Sequence, residues 1–264
     1  MRYDDYETLK ITRSGKILTV ALNRPELRNA TNAQMHRELV RLFPQISQDP
    51  ETNVVILTGE GKSFSAGGDI GQMQYDLDHP ARWQEAMAEA RAILVGIINC
   101  DRPIIARING AAVGLGSTLA LMCDITIATE TAKIADPHVN VGMTAGDGGS
   151  ILWPLLAGHA KARLLLLTGE IITGRQAADI GLITEAVPAD QLDARVNQIA
   201  EKIAAGAQVA IRTTKRAMNM SLRKQIEAVI DAHLGLETMS YLSEDHRIAV
   251  KAFHDGVPPV FTGR

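Results

Sequence analysis

The chain has 264 residues with 46% hydrophobic, 22% charged and 4% aromatic side chains, the composition of an ordinary folded protein. That length accommodates one large domain or a domain with an appendage. A formal net charge of −3, with no basic stripe carrying interleaved aromatics, argues against a nucleic-acid partner.

In chain order, Met1-Arg2-Tyr3-Asp4-Asp5-Tyr6 is polar and acidic, unlike a signal or transit peptide, so a cytoplasmic location is expected. Residues 17–22 read as a strand ended by Asn23-Arg24-Pro25. Thr31 or Asn32 then caps a helix whose apolar positions Met35, Leu39, Leu42, Phe43 and Ile46 recur at helical spacing. A second strand covers 54–58, a helix 80–100, and a third strand 103–108. Residues 108–123 carry no charge, but the run is short for a membrane span and rich in Gly, Ser and Thr, so a buried strand, turn and helix (115–122) is expected. Cys100 and Cys123 have no metal-type spacing and read as free thiols. Strands at 124–128 and 133–135 precede Asp136-Pro137-His138, and another helix opens at Gly146-Asp147-Gly148-Gly149. From about residue 187 the pattern is helical only, over 190–205, 207–220, 222–242 and 244–254. Repeated strand-turn-helix units followed by helices predict an α/β body, residues 1–190, with a helical C-terminal region, residues 191–264.

Two glycine-rich turns carry the chemistry. Phe64-Ser65-Ala66-Gly67-Gly68-Asp69 follows the apolar run Val54-Val55-Ile56-Leu57, and Asn109-Gly110-Ala111-Ala112-Val113-Gly114-Leu115-Gly116 follows Ile104-Ile105-Ala106-Arg107-Ile108. Each runs from a strand into a helix and leaves N–H groups free for a small anion or a polarised carbonyl. A dinucleotide reading of the second turn is weak, because Leu119 stands where a third glycine is needed.

In this order, these segments resemble the crotonase superfamily of enoyl-CoA hydratase/isomerase-like proteins. The resemblance extends through Asn23-Arg24-Pro25, Arg28-Asn29-Ala30, Met122-Cys123-Asp124-Ile125, Leu167-Thr168-Gly169-Glu170, residues 177–182, Ser243-Glu244-Asp245 and Pro259-Val260-Phe261, and so spans nearly the whole chain. It implies a spiral of ββα turns, a helical trimerisation region, and a homotrimer or dimer of trimers. It also implies an acyl-CoA substrate, with coenzyme A as part of that substrate and no separate cofactor. The thioester carbonyl would sit between the backbone amides of Gly68 and Leu115. Leu27, Arg28, Ala30, Ala66, Gly68, Asp69, Ile70, Gly114 and Phe261 fall on substrate- and CoA-binding positions. Gln72, Met73, Tyr75, Trp83, Met87 and Met143 are expected in the pocket wall.

The sequence departs from the family where its hydratases carry two catalytic glutamates: Thr118 and His138 occupy those positions. A threonine hydroxyl is no general base near neutral pH, whereas histidine is suited to the task. Thr118 therefore reads as pocket wall or a hydroxyl holding water. Asp147 falls where some relatives carry an essential aspartate, although an aspartate at a helix start is equally a routine cap. No metal is expected, since no ligand set with metal spacing is present. The tail Phe253-His254-Asp255-Gly256-Val257-Pro258-Pro259 lacks the Glu-Lys-Arg stretch of many relatives, with Lys251 the nearest substitute. The function expected is an enoyl-CoA hydratase/isomerase-like enzyme working through an enolate, with His138 and Asp147 moving protons. The alternatives are a hydrolase or dehalogenase using Asp147 on an acyl-CoA or a β-diketone, and a non-catalytic acyl-CoA-binding subunit.

Overall fold

The computed structural model describes residues 3–264; Met1 and Arg2, the start of the polar N-terminal stretch, lie outside the described residues. Strands β1 (Leu9–Ser14) and β2 (Ile17–Leu22) pair antiparallel, Leu9 opposite Leu22. Helix α1 (Ala33–Gln48) starts at the Asn32 cap, whose side chain accepts the Met35 amide at 3.0 Å. It buries Met35, Leu39, Leu42, Phe43 and Ile46, as their spacing predicts. Strand β3 (Val54–Gly59), helices α2 (Ile70–Asp78) and α3 (Pro80–Asn99), and strand β4 (Ile104–Ile108) follow. Then come β5 (Ala112–Val113), α4 (Leu115–Leu121), β6 (Ile125–Thr129) and β7 (Lys133–Ala135). The segment α5 (Gly149–Ala157), α6 (His159–Thr168), β8 (Ile172–Thr173), α7 (Gly174–Asp179) and β9 (Glu185–Val187) completes the α/β part.

The main sheet has the order β1-β2-β3-β4-β6-β9 and is parallel except for the first pair. A smaller sheet, β5-β7-β8, carries the site loops. Strand β3 is buried at every position, which is why it reads as an unbroken apolar run rather than an alternation. Val55 and Leu57 join the main core with α1 and α3, whereas Val54 and Ile56 pack on Leu192, Val196 and Ala200 of α8 (Leu192–Ala204). The sheet is therefore covered on both faces.

The C-terminal helices α9 (Gln208–Tyr241) and α10 (Glu244–Asp255) differ from expectation in one respect. Residues 207–220 and 222–242, read from sequence as two helices, form the single 34-residue α9. Asn219-Met220-Ser221 contains neither Gly nor Pro, so nothing there interrupts the helical hydrogen bonds. Strands β1, β5, β8 and β9 and helices α6 and α7 are additional to the elements expected.

Candidate active site

The two glycine turns are held against each other by backbone bonds. The Ser65 amide donates to the Ala111 carbonyl at 2.9 Å, and the Val113 amide donates to the Ser65 carbonyl at 3.0 Å. Gly67 makes the approach feasible: its φ is +89°, and a Cβ there would stand 2.8 Å from the Val113 carbonyl oxygen. As a result Gly68 and Leu115 border one cavity. Leu115 begins α4, so its N–H is one of the amides a helix leaves without an internal acceptor. Neither the Gly68 nor the Leu115 amide has a hydrogen-bond acceptor among the described residues.

His138 and Asp147 border the same cavity. Asp136 follows the end of strand β7, and a 3₁₀ turn at His138–Val141 sets the imidazole beside Gly114. His138 Nδ1 is hydrogen-bonded to the fully buried Asp136 Oδ1, and its Nε2 lies 3.8 Å from Asp147 Oδ2. The Thr118 hydroxyl, projecting from α4, reaches Asp147 Oδ1 at 3.5 Å. Gly149 lets this group close up, since a Cβ there would overlap Asp136 Oδ2. The cap position of α5 is taken by Gly148, not by Asp147 as the sequence suggests, and no side chain caps that helix. Asp147 is left one residue outside, its carboxylate facing His138 and accepting the Gly149 amide.

Electrostatics separate the two groups. Burial alone pulls the His138 imidazole down, but the Asp136 and Asp147 carboxylates outweigh it and hold the ring well above its ordinary value. Asp147 is pushed up to about 6 by burial, with Asp136 adding to the rise and the His138 charge and the Thr118 hydroxyl opposing it. Near neutral pH the pair is thus an imidazolium beside a carboxylate, a proton donor next to a proton acceptor. Ligand atoms of Asp136, His138 and Asp147 lie within 4.8 Å of one another. The Asp136–His138 hydrogen bond already engages a donor atom of each, which fits a proton-transfer chain.

Two residues of this centre were not singled out from sequence. Asp136 stands next to Pro137 in what reads as a loop, and nothing in its sequence context marks it. Glu237 of α9 borders the cavity and is 3% exposed. A signal for it exists: Ile226, Ile230, Leu234, Glu237 and Tyr241 recur at spacings of four, four, three and four on the buried face of α9. A glutamate in such a stripe is out of place unless it is used.

Of the wall residues expected, Gln72, Met73, Trp83, Met87 and Met143 border the cavity. Tyr75 does not; it is 52% exposed and stacks on His79 with ring centroids 4.0 Å apart. Trp83 stacks on Tyr241 at 3.6 Å and donates from Nε1 to the Thr238 hydroxyl, fixing the α3 side of the wall to α9. Asp69 borders the cavity, caps α2 by accepting the Gly71 amide, and is paired with Arg24 at 3.0 Å. Leu27, Arg28, Ala30, Ala66, Ile70 and Gly114 lie around the turns without lining the cavity, and Phe261 lies in a tail fastened by Asp245 to Thr262 and Gly263. Cys100 and Cys123 are buried free thiols. Among the described residues no helix is long and apolar enough to cross a membrane.

The sequence profile described as enoyl-CoA hydratase/isomerase matches residues 12–264. A probable enoyl-CoA hydratase of Mycobacterium tuberculosis is 32% identical over 266 aligned residues, covering 98% of this chain and 99% of the relative. The 1,2-epoxyphenylacetyl-CoA isomerase of Escherichia coli is 31% identical, covering 94% of this chain and 95% of the relative. Among solved structures, an enoyl-CoA hydratase/isomerase from Mycobacterium paratuberculosis aligns with a TM-score of 0.90 at 35% identity, covering 94% of this chain and 99% of that one.

Proposed function

The chain belongs to the enoyl-CoA hydratase/isomerase family, and from that premise we propose that it acts on an acyl-CoA thioester through an enolate, with His138 and Asp147 carrying the protons. The thioester carbonyl oxygen accepts from the Gly68 and Leu115 amides, each such donor contributing about 3 kcal/mol as negative charge develops on oxygen. Asp147, ionised near neutral pH, takes a proton from the carbon beside the carbonyl or from water. His138, protonated and oriented by Asp136, returns one. Thr118 holds the Asp147 carboxylate in position. The observation that carries this reading is the convergence of the Asp136–His138–Asp147 chain and the two free amides on one cavity.

Leu27, Arg28, Ala30, Ala66, Asp69, Ile70, Gly114 and Phe261 would flank the nucleotide and pantetheine, coenzyme A being part of the substrate and no further cofactor required. The proposed assembly is a homotrimer or dimer of trimers in the cytoplasm; the exposed apolar side chains Val209, Met218, Met220, Leu236, Met239 and Leu242 along α9 and its end support such an association.

A second reading, hydrolysis or dehalogenation with Asp147 as nucleophile or base, is favoured by one feature: its carboxylate borders the cavity with Oδ2 facing the imidazole at 3.8 Å. Turnover of crotonyl-CoA, a dienoyl-CoA, an aromatic acyl-CoA and a β-diketone, with product analysis, separates the readings. Asp147→Asn and His138→Ala are each expected to lower turnover of the true substrate at least about 100-fold. Unchanged turnover in both variants would sink the assignment, and tight acyl-CoA binding without turnover of any compound would indicate a non-catalytic binding subunit.

A further inference from the structure

His138 and Asp147 stand at the two ends of one loop, and the C-terminal helices grip that loop from outside the cavity. His246 of α10 is fully buried, and its Nδ1 lies 2.7 Å from the Val141 carbonyl oxygen. A carbonyl only accepts, so the ring nitrogen is the donor. Val141 is the last residue of the 3₁₀ turn that His138 begins, and the final carbonyls of such a turn have no donor within it. The other ring nitrogen, Nε2, has no partner among the described residues. A proton there would be buried without an acceptor, which favours the neutral ring with its one N–H on Nδ1. Burial acts the same way, holding the imidazole below its ordinary value while the Val141 carbonyl opposes.

The backbone of His246 is placed as closely as its ring. Ser243 caps α10 by accepting the His246 amide at 3.2 Å. Gly142, at φ +68°, runs so near that a Cβ on it would stand 2.7 Å from the His246 nitrogen. Farther along the loop, the Thr144 amide donates to the Ser240 hydroxyl of α9 at 2.8 Å. We infer that His246 is a positioning residue for the proton transfer: through the Val141 carbonyl it fixes the turn that sets His138 Nε2 against Asp147. This rests on the His138 and Asp147 roles proposed above. His246 does not border the cavity, so its loss acts on the rate of the transfer rather than on ester binding.

The test is exchange of the α-protons of butyryl-CoA in deuterated water, at limiting and saturating ester, by the full-length wild type, His246→Phe, His246→Asn and His246→Gln. Phe fills the space of the ring without a donor. Asn brings an amide N–H near the Nδ1 position, whereas Gln reaches toward that of Nε2. His246→Phe and His246→Gln are expected to lose about 10-fold or more of the saturated rate, with half-saturation within about three-fold of the wild type. His246→Asn should keep most of the rate. Packing alone predicts the opposite order, because Phe preserves the volume that Asn gives up. An undiminished rate in His246→Phe, or a loss in His246→Asn as large as in His246→Phe, overturns the inference while the proton-transfer reading stands. Should His246→Phe fail to fold, the comparison of His246→Asn with His246→Gln decides, and equal rates overturn the inference. No exchange by the wild type overturns the proton-transfer reading itself and this inference with it.

Discussion

Near neutral pH, Asp147 and His138 face each other as carboxylate and imidazolium across 3.8 Å, with Asp136 bonded to the ring's other nitrogen and Glu237 bordering the same cavity. The Asp147 carboxyl titrates at about 6 in the folded chain against a reference of 3.8, so between those values the folded state holds more protons than the unfolded one. Stability attributable to this group is present at low pH and falls as pH rises through that window; above about pH 6 the buried carboxylate is a standing cost. Asp147→Asn is therefore expected to melt a few degrees higher than the wild type at pH 8, with the difference gone near pH 4, as read by thermal unfolding across pH. An equal or lower melting temperature at pH 8 would contradict the electrostatic account. The site residues differ in how far sequence exposes them. Gly68 and Leu115 sit in glycine-rich turns whose residue types advertise them, whereas His138 and Asp147 stand out in the sequence only through the resemblance to the family. Glu237 lies 90 positions beyond Asp147 on an otherwise regular helix, and only the burial of its face sets it apart. Asp136 looks like any loop acid until the 3₁₀ turn folds His138 back upon it.

At the scale of elements, α9 does two jobs: it supplies Glu237 to the cavity wall and fastens the helical region to the sheet. The fastening is Lys215, nearly buried, which donates to the Arg102 carbonyl at 2.8 Å and to Asp124 Oδ2 at 2.7 Å. The same Asp124 oxygen accepts the Ile104 amide at 2.7 Å, so one lysine ties α9 to the start of β4 and the approach to β6. Removing one partner of a buried pair leaves the other uncompensated. Lys215→Met should destabilise the fold by about 3–5 kcal/mol, measured from the shift in urea midpoint, with little change in the cavity's acyl-CoA affinity in the molecules that remain folded. A shift below about 0.5 kcal/mol would show the tie to be dispensable. Strands β2, β3, β4 and β6 were legible because buried parallel strands are continuous apolar runs. The polar stretch at Ser221 reads as a break in α9, yet with neither Gly nor Pro at Asn219-Met220-Ser221 the helix continues, because its apolar face still finds the core. Strand β1 escaped notice because its outer face is exposed and its sequence, LKITRS, alternates only loosely.

For the whole molecule, the sheet and the helical region meet at the cavity: the amides come from two turns of the α/β part, and the wall is closed by Trp83 of α3 against Tyr241 of α9. The α/β class and the helical C-terminus were readable from the order of patterns, since the turns, strands and apolar stripes each obey local rules. The contact between α9 and the Asp147 loop was not, because it joins segments far apart in sequence whose pairing only packing decides. The central claim is that two backbone amides and Asp147 together withdraw a proton beside a thioester carbonyl. The most direct test is exchange of the α-protons of butyryl-CoA in deuterated water, followed by NMR, with wild-type protein and Asp147→Asn. The account predicts enzyme-dependent exchange with the wild type and a loss of about 100-fold or more in the variant. No exchange above background with the wild type, or an undiminished rate in Asp147→Asn, would contradict it.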